Sequence, residues 1–154
     1  MAEIGRKKSG PKMGFSTDSL YKEQFYMNSI HDHSIYYIEI QCGIGEIIFH
    51  THLVNAEEPE EKEVRFIGVI GHNFMNVLEG NIIFDITKEK PDQFFNNHES
   101  DLQEYQKFGL RLNCSNTEYF LNSLNLNGVS IFCINSSYGM SGWIIAKEMK
   151  ITEK

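Results

Sequence analysis

Between Ser34 and Val54 the chain reads SIYYIEIQC, then GIG, then EIIFHTHLV. Two runs of β-branched and aromatic residues flank a single glycine turn, the pattern of an antiparallel hairpin, and a two-residue loop at Gly43-Ile44 suits a type II′ turn. That turn sets a register, with Cys42 opposite Gly45 and Ile38 opposite Phe49. Side chains alternate along a strand, so the register sorts the hairpin into two faces. Tyr36, Ile38, Ile40, Ile47, Phe49, Thr51 and Leu53 form an apolar face suited to a core. Ile35, Tyr37, Glu39, Gln41, Glu46, Ile48, His50 and His52 form a mixed one. Continued backwards, the same parity puts His31 and His33 on the mixed face, so four of the six histidines are expected together there.

The rest of the chain extends this β-rich beginning. VRFIGVIGH and NIIFDIT read as third and fourth strands of a meander, joined to the hairpin by the turn NAEEPEEKE. Pro91 can open a short helix, Ser100 with Gln103 has the form of a capping box, and Gly109 can stop the helix that follows. A further helix is expected near Ser115, with Tyr119, Phe120 and Leu124 on one face. GVSIFCIN, the turn SSYGMSG and WIIAKEMKI close the chain as a hairpin. The predicted fold class is α+β, a mainly antiparallel sheet or sandwich of six or seven strands with two or three short helices inserted before a C-terminal hairpin. With 154 residues, 41% of them hydrophobic, one core is the expectation: a flexible basic tail over residues 1–14 and a single domain over residues 15–154. Phe15 to Met27 is compatible with a short helix or an edge strand.

Charge narrows the partners. Arg6, Lys7, Lys8 and Lys12 stand against Glu3 in the first thirteen residues, while the whole chain carries −7. The body is therefore more acidic than the total, which disfavours nucleic acid and favours a basic protein partner. Glu57, Glu58, Glu60, Glu61 and Glu63, crowded around Pro59, are the candidate partner-binding residues. No apolar run reaches membrane-spanning length and no secretory leader is evident, so a cytoplasmic protein without membrane contact is expected. Cys42, Cys114 and Cys133 are too scattered for a disulfide framework; Cys42 and Cys133 are expected as buried structural thiols. Oligomeric state is not readable from these features.

Catalytic signatures are absent: there is no P-loop, no dinucleotide fingerprint and no nucleophile elbow, and Gly139-Met140-Ser141-Gly142 reads as a hairpin loop. No cofactor and no catalytic residue are expected on that basis. The histidines supply the competing reading, a metal-binding enzyme or sensor. His33, His50, His52 and His72 are its candidate ligands, since two imidazoles across a strand pair can reach one ion. His50-Thr51-His52 followed by Glu57 resembles the metal motif of the cupin family, with His72 as the later ligand. Ile44 stands where that family places a glycine, and the proline turn before the last ligand is missing.

A second resemblance covers about half of the chain. His31-Asp32 before a strand, Val64-x-Phe66-x-Gly68-Val69, the run Asn81 to Asp85 and the closing GWIIAKEMKI resemble small bacterial immunity proteins of polymorphic toxin systems. His33 occupies a position where a small residue is expected. The resemblance implies a non-enzymatic protein that binds and neutralises a basic toxin domain, and it assigns no individual residue.

Overall fold

A computed structural model describes residues 29–154; the basic tail and the Phe15 to Met27 segment lie outside the described residues. Eight strands and two helices follow in the order β1 (His33–Gln41), β2 (Glu46–Leu53), β3 (Glu61–Ile67), β4 (Gly71–Met75), β5 (Ile82–Lys88), α1 (Pro91–Lys107), α2 (Thr117–Asn127), β6 (Ser130–Tyr138), β7 (Ser141–Ala146) and β8 (Glu148–Glu153). The α+β class with one antiparallel sheet is as expected, and the helices do precede the closing strands. The strand number among the described residues is eight rather than six or seven.

Two bends account for the difference. VRFIGVIGH breaks at Gly68, whose φ of 67° no strand tolerates, so β3 and β4 point in different directions. The last run breaks at Lys147 into β7 and β8. Across the bends the backbone bonds persist, Lys147 N–H to the Ile67 carbonyl at 2.9 Å and Ile70 N–H to that of Ile145 at 2.9 Å. β3 pairs with β8 and β4 with β7, so two bent strands run side by side through their kinks. The sheet order β4-β7-β6-β5-β1-β2-β3-β8 thus begins and ends on the same pair of bent strands, and the sheet closes on itself. The meander ends after β3, because β5 returns beside β1. That seam is the thinnest, with a single ladder pair, Ser34 with Ile82, flanked by bonds from Asp32 N–H to Ile83 and from Ile35 N–H to Asn81.

Inside the closed sheet lie Ile35, Ile47, Phe49, Val64, Phe66, Ile83, Ile86, Phe132, Ile134 and Ile144, all buried. Rings from distant strands meet there: Phe49 lies 5.3 Å from Phe66 and 5.8 Å from Phe74, and Phe66 lies 5.7 Å from Phe132. A second core forms where the helices cover the outer side of β6 and β7, with Phe94, Phe95, Leu102, Phe120 and Leu124 against Ile131, Trp143 and Ile145. These two strands are covered on both sides, which is why SIFCI and WII are apolar without alternation.

The helices differ from expectation at their ends. α1 is one helix of 17 residues that runs straight through Ser100, whose capping box is not used; Gln103 instead reaches Glu99 and the Cys114 carbonyl. α2 starts two residues after Ser115, capped by Asn116, which accepts the Tyr119 N–H at 2.9 Å, and it ends at Gly128 in the left-handed conformation. Phe120 and Leu124 are buried as expected, whereas Tyr119 is exposed. Among the described residues no helix is long and apolar enough to cross a membrane.

Candidate functional site

The hairpin register holds from Gln41 opposite Glu46 to Tyr37 opposite His50, then slips by one residue, pairing Ile35 with Thr51 and His33 with Leu53. Tyr36 is the extra residue of a β-bulge. A one-residue slip turns every later side chain to the other face. His33 therefore points inward with Ile35 and is buried, while His50 and His52 remain on the outer face. The expected gathering of four histidines is divided by that bulge. Tyr36, assigned to the apolar face, is half exposed, and so is Ile40 near the open end of the hairpin. The turn also differs: Cys42 to Gly45 form a four-residue loop in which Gly45, not Gly43, has positive φ, and Cys42 is exposed. Cys133 is half-buried.

Inside, His33 belongs to a small polar network. The Thr51 hydroxyl donates to the Lys62 carbonyl at 3.1 Å, so its oxygen is left to accept from His33 Nδ1–H at 3.0 Å, which fixes the tautomer. Burial pushes the His33 imidazole below its ordinary value, and the nearby Lys62 cation adds to that. Lys62 is itself buried. Its ammonium meets Glu60 at 2.6 Å and donates to the Ser29 carbonyl at 2.8 Å. A hydrogen bond from Lys62, reinforced by its charge, holds the Glu60 carboxyl below the usual range.

On the outer face His50 is enclosed by its neighbours. Its Nε2 lies 2.6 Å from a Glu39 oxygen, and its Nδ1 lies 2.8 Å from the Lys154 ammonium. An ammonium can only donate, so Nδ1 accepts and Nε2–H donates to Glu39. That hydrogen bond lowers the Glu39 carboxyl. The Tyr37 ring stacks on His50 at 5.2 Å, and Tyr36 lies 5.4 Å from His52. Glu63 completes the group, 3.4 Å from both His50 Nδ1 and Lys154 and 3.6 Å from Arg65, which in turn holds Glu46 at 2.7 Å.

Metal chemistry finds no assembled site in this arrangement. Both nitrogens of His50 are engaged, His33 faces the interior, and His72 sits on β4, which pairs only with β7. Among the described residues no three of His, Cys, Asp or Glu are grouped so as to hold an ion. The two less accessible thiols are poor nucleophiles as well: burial raises Cys114 to about 11 and half-buried Cys133 to about 12.

The glutamates divide into two kinds. Glu60 and Glu63 are engaged in intramolecular ion pairs, and Glu63 is half-buried on β3 rather than in a loop. Glu57, Glu58 and Glu61 are exposed and make no ion pair among the described residues. No protein-family model, curated protein or solved structure matches the chain significantly. What the site does has to be argued from its own surface.

That surface is the outer side of β1, β2, β3 and β8, which the helices leave uncovered. Tyr36 and Tyr37 are 50% and 56% exposed on it. Tyr36 touches His52, and His52 is paired across the sheet with Glu61. Two aromatic rings therefore share a face with His52 and, across the sheet from it, with Glu61 at the start of β3, which follows the turn that carries Glu57 and Glu58. Of the two rings, Tyr37 lies on the mixed face that the alternation predicts, whereas Tyr36, which an unbroken alternation puts in the core, reaches the surface through the bulge.

Proposed function

We propose that the protein is a non-catalytic cytoplasmic binding module whose docking surface is the Tyr36–Tyr37 face with its acidic border of Glu57, Glu58 and Glu61. Its partner is a basic protein, and neutralisation of a toxin domain is the role that the immunity-protein resemblance implies. The observation that carries the reading is the pair of half-exposed tyrosines on a sheet face where Tyr36 touches His52 and His52 is paired with the exposed Glu61. Aromatic anchors supply most of the binding energy of an interface, and a charged rim accelerates encounter and selects the sign of the partner. The tyrosine stacked on His50 is held in place before any partner arrives, which reduces the entropy lost on binding.

The test is affinity capture from the native host followed by titration of the recovered protein. A basic protein bound at one-to-one stoichiometry is expected, with affinity that weakens as salt rises. Tyr37→Ala should cost about 2 kcal/mol or more of binding. The triple charge reversal at Glu57, Glu58 and Glu61 should slow association at least about ten-fold. A partner that binds equally well to both variants would exclude this face as the docking surface.

A further inference from the structure

At the end of the closed sheet that carries the β1–β2 turn, a cleft of about 500 Å³ opens between that turn, the two strand bends and the C-terminal end of α2. Gly43, Gly45 and Gly68 form part of its wall, and Arg111 and Lys147 line it together. Several cations of this acidic chain are already paired; among the described residues Arg111 and Lys147, like Lys90 and Lys107, are not. Lys62, Arg65, Lys150 and Lys154 are each held by a glutamate, whereas Arg111 and Lys147 make no ion pair among the described residues.

Both are placed by the fold. The aliphatic stem of Lys147 lies over Gly68, occupying the space a side chain there would fill, with its Cγ 2.6 Å from an ideal Cβ position. Arg111 is held through its carbonyl, which accepts from Asn127 Nδ2 at 3.2 Å, and Asn127 is anchored in turn on the Ser123 carbonyl at 2.8 Å. Two cations without ion-pair partners among the described residues, both lining one concave site, favour an anion through charge-assisted hydrogen bonds.

A second feature specifies the rest of the ligand. The cleft shares Cys42, Gly45, Val69 and Ile70 with a recess of about 180 Å³, to which Ile40 and Ile47 also contribute. Gln41, Glu46 and His72 border this mainly apolar recess, and the Glu46 carboxylate is engaged by Arg65 at 2.7 Å. Charged and apolar compartments thus adjoin, and a volume of several hundred cubic ångströms suits a small molecule.

We infer that this cleft binds a small organic anion, a phosphate monoester or carboxylate whose charged group lies between Arg111 and Lys147 and whose apolar part enters the Ile40–Ile47 recess. The site is separate from the tyrosine face, and the inference stands whether or not a protein partner docks there.

Titration calorimetry with phenyl phosphate, benzoate, inorganic phosphate and phenol tests it. Phenyl phosphate or benzoate should bind at one site, at least about ten-fold more tightly than inorganic phosphate or phenol, and the stronger of the two identifies the head group. Removing the cations in Arg111→Ala/Lys147→Ala should weaken that binding about ten-fold or more, the effect of one or two charge-assisted hydrogen bonds. Both positions are exposed, and an unchanged melting temperature of the variant certifies its fold. Cys42 gives an independent readout, being an exposed cysteine on the cleft wall. The bound anion should slow its alkylation by iodoacetamide, a neutral reagent. Absence of saturable binding by either aromatic anion, or binding and Cys42 protection that survive the double substitution, would overturn the inference.

Discussion

At the scale of single residues, Tyr36 has the widest consequences. By taking up one extra position in β1 it sends His33 into the interior and leaves its own ring on the surface beside His52. His33 then titrates as a buried group. Its folded value is depressed below the ordinary 6.5, so as pH falls below that value the unfolded chain binds a proton that the folded protein resists. The stability that neutral His33 confers is complete above about pH 6.5 and is lost as pH descends towards the lower folded value. Melting temperatures recorded between about pH 7.5 and about pH 5.5 should fall more steeply for the wild type than for His33→Gln, which keeps a donor for Thr51 and cannot titrate. Parallel curves would show that His33 is not the titrating group. The carboxylates Glu39 and Glu60, both held low by hydrogen bonds, contribute only in a more acidic window.

At the scale of elements, the two helices are terminated unequally. Asn116 caps α2 with its side chain, and Asn116→Ala should cost about 1 kcal/mol. α1 is preceded by Lys90, an extended N-cap residue whose side chain makes no cap bond and whose positive charge adjoins the positive end of the helix dipole. Lys90→Asp should therefore stabilise the protein by about 0.5–1 kcal/mol, supplying a cap acceptor and reversing the charge before Pro91. Chemical denaturation of the two variants checks both signs. Much of this was legible beforehand: Pro91 opens a helix, and the apolar faces of α2 and of β2 follow their periodicities. The capping box at Ser100 was not used, because local chemistry that can start a helix loses to a preceding turn already propagating through it.

At the scale of the molecule, closure of the sheet depends on one weak seam between β1 and β5, and Asn81 supports it. This buried side chain accepts the N–H groups of Leu78 and Met140 and donates to the Leu78 carbonyl, while the residue's backbone carbonyl receives Ile35 N–H from β1. The β4–β5 loop, the β6–β7 turn and the seam are joined at this residue. Asn81→Ala strands the Leu78 and Met140 N–H groups while leaving the backbone bond to Ile35, and should destabilise the protein by roughly 2–4 kcal/mol. Hydrogen exchange should show the amides of Asp32 and Ile35 losing protection before those of β2 and β3. Uniform loss across the sheet would mean that the seam does not open separately. The interior aromatic cluster sets the larger scale, and Phe66→Ala should cost about 3–5 kcal/mol.

The amino-acid sequence by itself determined the strands, the approximate helix positions and the register of the hairpin from Tyr37 to Gln41, since all three follow from side-chain periodicity and short-range turn chemistry. It also showed where acidic residues concentrate. Tertiary structure alone decided the bulge, because an extra residue is tolerated only where the gain from burying Ile35 and His33 exceeds the loss of a ladder position. It decided, too, that Glu63 is bound internally, since His50 and Lys154 reach it from β2 and from the end of β8, and that Glu60 is held by its near neighbour Lys62, which the fold buries; among the described residues Glu57, Glu58 and Glu61 make no such ion pair. The cleft has the same origin: Gly45, Gly68, Arg111 and Lys147 are far apart in the chain, and only closure of the sheet through its two bends brings them to one wall.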